Sequence, residues 1–134
     1  MRKINMSCII DDDPIFVYGT KKVMKEVNFC DDVMVFHNGQ DAINGLKELA
    51  LANKELPSLI FLDLNMPIMD GWDFLDDFIT IPNNNREKVH VYVISSSIDA
   101  NDFIRARNYE VVNNYILKPI TPDDLISVLR MLPK

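Results

Sequence analysis

The sequence predicts a (βα)₅ fold of the α/β class, in which five parallel strands form one doubly wound sheet with helices on both faces. Short apolar runs alternate with helical patterns along the whole chain of 134 residues. Such alternation is typical of parallel sheets whose strands are joined by right-handed crossovers. Three of the runs are almost entirely apolar, as expected for strands covered on both faces. No repeat, low-complexity tract or linker interrupts this order.

The strands are predicted from the apolar runs. In chain order they are Ile4–Ile10, Val33–Phe36, Leu59–Leu62, Val89–Ile94 and Tyr115–Leu117. The fourth run alternates, because His90 and Tyr92 lie between valines, so its two faces are expected to differ in burial.

A helical pattern follows each predicted strand. The first three are indicated by apolar residues at helical spacing, namely Phe16, Val23 and Val27, then Ala42, Leu46 and Leu49, and then Trp72, Leu75 and Phe78. The third helix must end before Pro82, and Pro82–Lys88 is predicted to be a surface loop. The fourth helix covers about Asp99 to Asn108. The fifth has the clearest start, because Thr121 suits the N-cap and Pro122 the first helical position.

The composition is that of a soluble globular protein, and we expect residues 1–134 to form a single domain without an output domain. The formal net charge of −6 argues against non-specific binding to nucleic acid or to anionic membranes. No apolar run reaches the ~20 residues needed to span a bilayer. Cys8 and Cys30 lack the spacing of a metal site, so we interpret both as reduced thiols of a cytoplasmic protein.

Polar side chains follow four of the five predicted strands. Asp11-Asp12-Asp13 follows the first strand, Asp63 the third, Ser95-Ser96-Ser97 the fourth and Lys118-Pro119 the fifth. In an open parallel sheet, these strand ends lie at one edge, where ligands bind. The sequence therefore predicts that acidic side chains from two strand ends, a hydroxyl from a third and an amine from a fourth meet there.

The charges of this predicted group indicate a metal. Asp11, Asp12 and Asp63 would repel one another, and Lys118 supplies only one positive charge. A hard divalent cation such as Mg²⁺ would complete the balance. A carboxylate beside Mg²⁺, an amine and a hydroxyl is equipped for phosphoryl transfer, with Asp63 as the nucleophile.

Three stretches resemble the signatures of the two-component response-regulator receiver family, and in particular its stand-alone, chemotaxis-regulator-like members. They are Ile9–Pro14, Leu62–Gly71 with its Asn-Met-Pro-Ile-Met-Asp-Gly segment, and Leu117–Pro119. The resemblance covers the whole chain. It implies a flavodoxin-like strand order, 2-1-3-4-5, and a phosphorylation switch rather than an enzyme, whose only reactions are its own phosphorylation and dephosphorylation.

The resemblance also implies roles for individual residues. Asp63 would be the phosphoacceptor and a Mg²⁺ ligand, together with Asp12 directly, Asp11 through water and the backbone carbonyl of Asn65. Lys118 would contact the phosphoryl group, and the peptide before Pro119 is commonly cis in this family. The implied switch residues are Ser95 and Tyr115. The implied partners are a histidine kinase or phosphotransfer protein, an unknown downstream protein and, after phosphorylation, a second copy of the chain.

Two alternatives remain at this point. The chain is one residue longer between Ser95 and Lys118 than the common family pattern, which makes Ser96 a competitor for the switch hydroxyl. A phosphohydrolase of the haloacid-dehalogenase type also uses an aspartate nucleophile and Mg²⁺. Such an enzyme needs a second aspartate two residues later, whereas this chain has Asn65.

Overall fold

The computed structural model describes residues 4–81, 88–97 and 99–132. Within these ranges, strands and helices alternate, and we number them in chain order. They are β1 (Ile4–Ile10), α1 (Pro14–Glu26), β2 (Cys30–Phe36), α2 (Gly39–Leu51), β3 (Leu59–Asp63), α3 (Gly71–Phe78), β4 (His90–Ser95), α4 (Ala100–Ala106), β5 (Val112–Leu117) and α5 (Pro122–Met131). The strands form one parallel sheet in the order β2-β1-β3-β4-β5, which confirms the predicted fold class. The predicted loop Pro82–Lys88 lies outside the described residues, except for Lys88.

The two edge strands are longer than predicted. β2 begins at Cys30 rather than Val33, and β5 begins at Val112 rather than Tyr115. The added segments carry Asp31-Asp32 and Asn113-Asn114, which are exposed. Edge strands are less covered than central strands, so their polar residues do not produce the apolar run on which the prediction depended. The fourth helix is shorter than predicted and ends at Ala106 rather than Asn108.

The sheet separates two apolar clusters, because successive side chains of a strand point to opposite faces. Ile10 and Leu62 face the cluster formed with α2 and α3. Ile9 and Phe61 face the cluster formed with α1 and α5. The buried centre of the sheet thus holds the carboxyl ends of β1 and β3 in fixed positions. In the described part of the chain, no helix is long and apolar enough to cross a membrane.

Each described helix begins at a residue whose side chain accepts backbone N–H groups of the first turn, which is the usual way to satisfy free donors there. These N-caps are Asp13, Asn38, Asp70, Asp99 and Thr121. Thr121 forms a reciprocal capping box with Asp124, as its sequence position predicted. All five caps lie in loops that follow the carboxyl ends of strands, and those after β1, β3 and β4 order the backbone around the predicted site.

A bulge lies near the start of β5. Val91 pairs with Val112, but the next residue, Tyr92, pairs with Asn114, so Asn113 is an extra residue in the ladder. The side-chain amide of Asn113 lies 3.1 Å from Nδ1 of His90 on the neighbouring strand. After the bulge, the pairing of β4 with β5 continues without interruption to Ser95 and Leu117.

Candidate functional site

Three aspartates meet at the carboxyl edge of the sheet, as predicted. β1 and β3 are neighbours, with Ile10 paired to Leu62, so Asp11 and Asp12 lie beside Asp63. One carboxylate oxygen from each aspartate lies within 4.8 Å of the others. Asp11 is fully buried and Asp63 is only 4% exposed, whereas Asp12 is exposed. The cluster therefore has two buried members, Asp11 and Asp63, and one member open to solvent, Asp12.

Lys118 brings the only ammonium that contacts this cluster among the described residues. Its Nζ lies 2.8 Å from Oδ2 of Asp11 and 3.8 Å from Oδ2 of Asp63. Its backbone N–H donates to the carbonyl of Ser95 at 2.8 Å, which fixes the loop after β5 against the end of β4. The Lys118–Pro119 peptide is cis, as the family resemblance implied.

The donor set fits a hard divalent cation. Three carboxylates and one ammonium leave a formal excess of two negative charges. Oδ2 of buried Asp11 has its ion pair with Lys118, but this contact lacks hydrogen-bond geometry and no described group donates to that oxygen. Oxygen ligands of this kind, with one side open to water, are those that Mg²⁺ prefers in proteins.

The surroundings of Asp63 raise its pKa from an ordinary 3.8 to about 6. The main cause is burial, which disfavours the charged carboxylate, and the nearby charge of Asp11 adds to it. Lys118 and the backbone N–H of Asn65, which donates to Oδ1 of Asp63 at 3.3 Å, lower the pKa in part. The ionised form of Asp63 is thus destabilised at this site unless further positive charge is bound there.

Ser95 and Ser96 have different environments. Ser95 is the last residue of β4, is 3% exposed, and donates through its Oγ to the carbonyl of Ser97 at 2.6 Å. Ser96 is exposed and lies outside the strand. This difference favours Ser95 for the predicted switch role.

Tyr115 lies on β5 directly opposite Val93 of β4. Its ring stacks on Phe103 of α4 with 5.7 Å between centroids. Its buried hydroxyl has no hydrogen-bond partner among residues 4–81, 88–97 and 99–132. Burial, with smaller contributions from Asp102 and Asp99, raises the pKa of Tyr115 to about 12. A buried hydroxyl without a hydrogen bond costs folding free energy. The Tyr115 ring could therefore leave this position for a competing conformation in which its hydroxyl is paired.

Two residues that sequence reasoning left out of the site contact it. The backbone N–H of Asp13 donates to Oδ1 of Asp11 at 2.9 Å, and the ring of Phe16 lies beside the Lys118 ammonium, with Nζ 4.4 Å from the ring centroid. The sequence analysis placed Asp13 after the first strand without giving it a role in the site, and it used Phe16 only as an apolar residue of the first helix. The adjacency of Asp13 to Asp11-Asp12 was a usable signal. The contact between Phe16 and Lys118 joins distant parts of the chain, so no signal in the sequence indicated it.

The loop between β3 and α3 returns tightly against Asp63. A Cβ at Gly71 would lie 2.8 Å from the carbonyl oxygen of Asp63 and 2.9 Å from Cα of Leu64. Both are backbone atoms that cannot move aside easily. The Gly71 N–H also donates to the Leu64 carbonyl at 3.0 Å. Glycine is therefore required here so that the loop can close beside the acidic cluster.

The same loop contains a strained residue. Ile68 has a φ of 73° and is 84% exposed, and a β-branched side chain in this region is disfavoured by about 1–2 kcal/mol. We expect Ile68→Asn to raise the free energy of unfolding by about 1 kcal/mol, because Asn tolerates this conformation. Ile68→Ala is the matched control, since alanine retains the strain. Urea unfolding of the three proteins measures the effect, and equal gains in both variants would refute the role of φ.

The chain resembles known proteins in sequence and in fold. Residues 8–130 match the family model described as the response regulator receiver domain. The chain is 33% identical over 124 residues to the nitrate/nitrite response regulator protein NarL of Escherichia coli K12, an alignment that covers 90% of this chain and 51% of that protein. It thus spans about half the length of the curated relatives it matches.

Solved structures are similar over almost the whole chain. A two component response regulator from Cytophaga hutchinsonii superposes with a TM-score of 0.88 at 32% identity, covering 96% of both chains. The receiver domain of a sensor histidine kinase from Pseudomonas aeruginosa PAO1, solved with a magnesium ion coordinated in the active site cleft, has a TM-score of 0.74 at 15% identity and covers 94% of both chains. At 15% identity, the similarity to the Pseudomonas aeruginosa domain supports only the fold.

Proposed function

Since this chain belongs to the response regulator receiver domain family, we propose that it is a phosphorylation-dependent switch in which Asp63 accepts a phosphoryl group in a Mg²⁺-dependent reaction. The observation that carries the proposal is the position of the Asp63 carboxylate. It is buried, its ligand atom lies within 4.8 Å of those of Asp11 and Asp12, and it lies 3.8 Å from the Lys118 ammonium.

The proposed reaction transfers a phosphoryl group to a carboxylate oxygen. An Asp63 oxygen attacks phosphorus as the bond from phosphorus to the donor's nitrogen or oxygen breaks, and the donor leaves with the electron pair of that bond. A histidine donor then takes a proton from solvent, whereas acetate leaves acetyl phosphate as the anion. The product is an acyl phosphate. The Lys118 ammonium then donates to the phosphoryl oxygens, and the Ser95 hydroxyl is the proposed donor to a second oxygen. Family members of this kind are signalling switches rather than classical enzymes.

The proposed metal ligands are Asp12 directly, Asp11 through water, Asp63 and the backbone carbonyl of Asn65. A bound Mg²⁺ would supply the positive charge that the three carboxylates lack and would orient the phosphoryl oxygens. The formal excess of two negative charges among Asp11, Asp12, Asp63 and Lys118 and the raised pKa of Asp63 both support this requirement for charge.

The proposed donor is a histidine kinase or phosphotransfer protein, and the proposed output is altered contact with a downstream protein or with a second copy of the chain. Direct binding to nucleic acid is not part of the proposal, because the net charge is −6. We also propose a cytoplasmic location, which the free thiols of Cys8 and Cys30 support.

Self-labelling tests the proposal. The purified protein is incubated with acetyl phosphate, with Mg²⁺ or with a chelator, and intact mass and peptide mapping are used to locate the modification. We expect one added phosphoryl group on the peptide that contains Asp63, and only with Mg²⁺. Labelling that is equal in chelator, or that maps away from Asp63, would contradict the proposal.

The switch has its own prediction. Beryllofluoride, a phosphoryl mimic, is expected to shift the backbone NMR signals of residues 100–120 in addition to those of the acidic cluster, because Ser95 and Tyr115 link the cluster to α4 and β5. Ser95→Ala should reduce the distant shifts while leaving the shifts at Asp12 and Asp63. Exposed Ser96→Ala is the matched control. Changes confined to the metal pocket in the wild type, or loss of coupling in Ser96→Ala alone, would count against Ser95.

A further inference from the structure

Phe16 presents its ring to the ammonium of Lys118, with Nζ 4.4 Å from the ring centroid. This distance lies within the range of a cation–π interaction, in which the negative face of the ring attracts the cation. Phe16 is half-buried and packs against the apolar cluster on the α1 and α5 side of the sheet. Lys118 thus has two kinds of neighbour, an aromatic ring and the carboxylates of Asp11 and Asp63.

The loop that presents Asp11 also fixes Phe16. Asp13 donates from its backbone N–H to Oδ1 of Asp11 at 2.9 Å. Its own carboxylate then accepts from the backbone N–H groups of Ile15 at 3.0 Å and Phe16 at 3.3 Å. The Phe16 backbone and the Asp11 carboxylate are therefore joined in one hydrogen-bonded segment.

A metal at this site would weaken the ion pairs that hold Lys118, and the Phe16 ring offers the ammonium a second attraction. A divalent cation among Asp11, Asp12 and Asp63 would neutralise the carboxylates that hold Lys118 and would also repel its ammonium. A lysine side chain is long and flexible, so it could then turn away into solvent. The attraction of the ammonium to the Phe16 ring does not depend on the carboxylates and remains when they are neutralised.

We propose that Phe16 is a positioning residue for Lys118, holding its ammonium beside Asp63 when the carboxylates are occupied by metal. This inference rests on the proposed function, since it concerns the same phosphoryl-transfer site. A leucine at position 16 would fill much of the same volume against the core but has no aromatic face. The electron-rich face of the ring is thus the property to test, separately from its size.

The first experiment is an NMR measurement on unphosphorylated protein. A ring this close to Nζ should shift the Hε signals of Lys118 upfield from those of the exposed lysines. We expect that shift in the wild type, both with chelator and with Mg²⁺, and its loss in Phe16→Leu. Tyr18→Leu is the matched control, because Tyr18 lies on the same helix and is 71% exposed. An unshifted Lys118 signal in the wild type, or a shift that Mg²⁺ abolishes, would overturn the proposal.

The second experiment measures the rate of self-labelling from acetyl phosphate at saturating Mg²⁺. Phe16→Leu should slow labelling by roughly three- to tenfold, with the Mg²⁺ dissociation constant and the unfolding midpoint little changed, and Tyr18→Leu should not slow it. Phenylalanine with one, two or three fluorine atoms at position 16 should slow it stepwise, because fluorine weakens the ring face at nearly constant shape.

Equal rates across the fluorinated series, or an unchanged rate in Phe16→Leu, would overturn the positioning role. Failure of the wild type to label at Asp63 would instead overturn the proposed function. The NMR arm would in that case still decide whether Phe16 holds Lys118.

Discussion

Asp63→Asn is expected to lower labelling from acetyl phosphate at saturating Mg²⁺ by at least about 100-fold, which is the size of loss typical when a nucleophile is removed. The amide has no carboxylate oxygen to form an acyl phosphate. It has nearly the same shape, and its Oδ1 can still accept from the Asn65 backbone, as Asp63 does at 3.3 Å. The loss would therefore report chemistry rather than unfolding.

Asp123→Asn is the matched control for this prediction. Asp123 is an exposed aspartate in the first turn of α5, outside the acidic cluster. The same change of side chain there should leave labelling unaffected. Intact-mass spectrometry over a time course gives both rates. Labelling of Asp63→Asn at a rate close to that of the wild type would show that another residue is the acceptor.

The same substitution should make the metal-free protein more stable. The folded-state pKa of Asp63, about 6, lies above its ordinary value of 3.8. The folded protein therefore binds this proton more tightly than the unfolded chain, and the contribution of Asp63 to stability falls as pH rises from about 4 to about 6. At pH 7 in chelator, we expect Asp63→Asn to raise the free energy of unfolding by about 2–3 kcal/mol.

This stability prediction has a characteristic dependence on pH and metal. The gain should shrink as pH falls from about 6 to about 4, where the wild-type carboxyl becomes protonated in the folded state. It should also shrink with Mg²⁺, which stabilises the charged wild-type site. Asp12→Asn, which changes an exposed member of the cluster, should give a smaller gain. Urea unfolding at pH 7 and at about pH 4 tests this prediction. A variant that unfolds more easily than the wild type in chelator at pH 7 would contradict it.

The sequence predicted which residues meet at the site better than it predicted where the strands begin. Asp11, Asp12, Asp63 and Lys118 each follow a strand, and parallel strands bring their carboxyl ends to one edge whatever their exact lengths. Strand starts have no such rule. The exposed segments at the beginnings of β2 and β5 therefore gave no signal, although they pair with their neighbours.

Contacts between side chains from distant segments were also beyond sequence reasoning. Trp72 was predicted only as an apolar residue of the third helix. In the structure it stacks on Tyr109 with 6.1 Å between centroids, and Arg105 lies over its ring at 4.4 Å. The Tyr109 hydroxyl in turn donates to Asp76 at 2.7 Å. These contacts tie the end of α4 to α3, and they depend on how two helices meet rather than on any local pattern.

The bulge at Asn113 has a consequence for how the family pattern can vary in length. Side chains alternate between the faces of a strand, so one extra residue in a regular β5 would send every later side chain to the opposite face. The bulge takes up that residue before Asn114, and Tyr115 remains opposite Val93 while Leu117 remains opposite Ser95. Asn113 thus keeps the phase of the strand constant at its carboxyl end. One extra residue at the start of β5 is therefore accommodated without altering which groups reach Asp63.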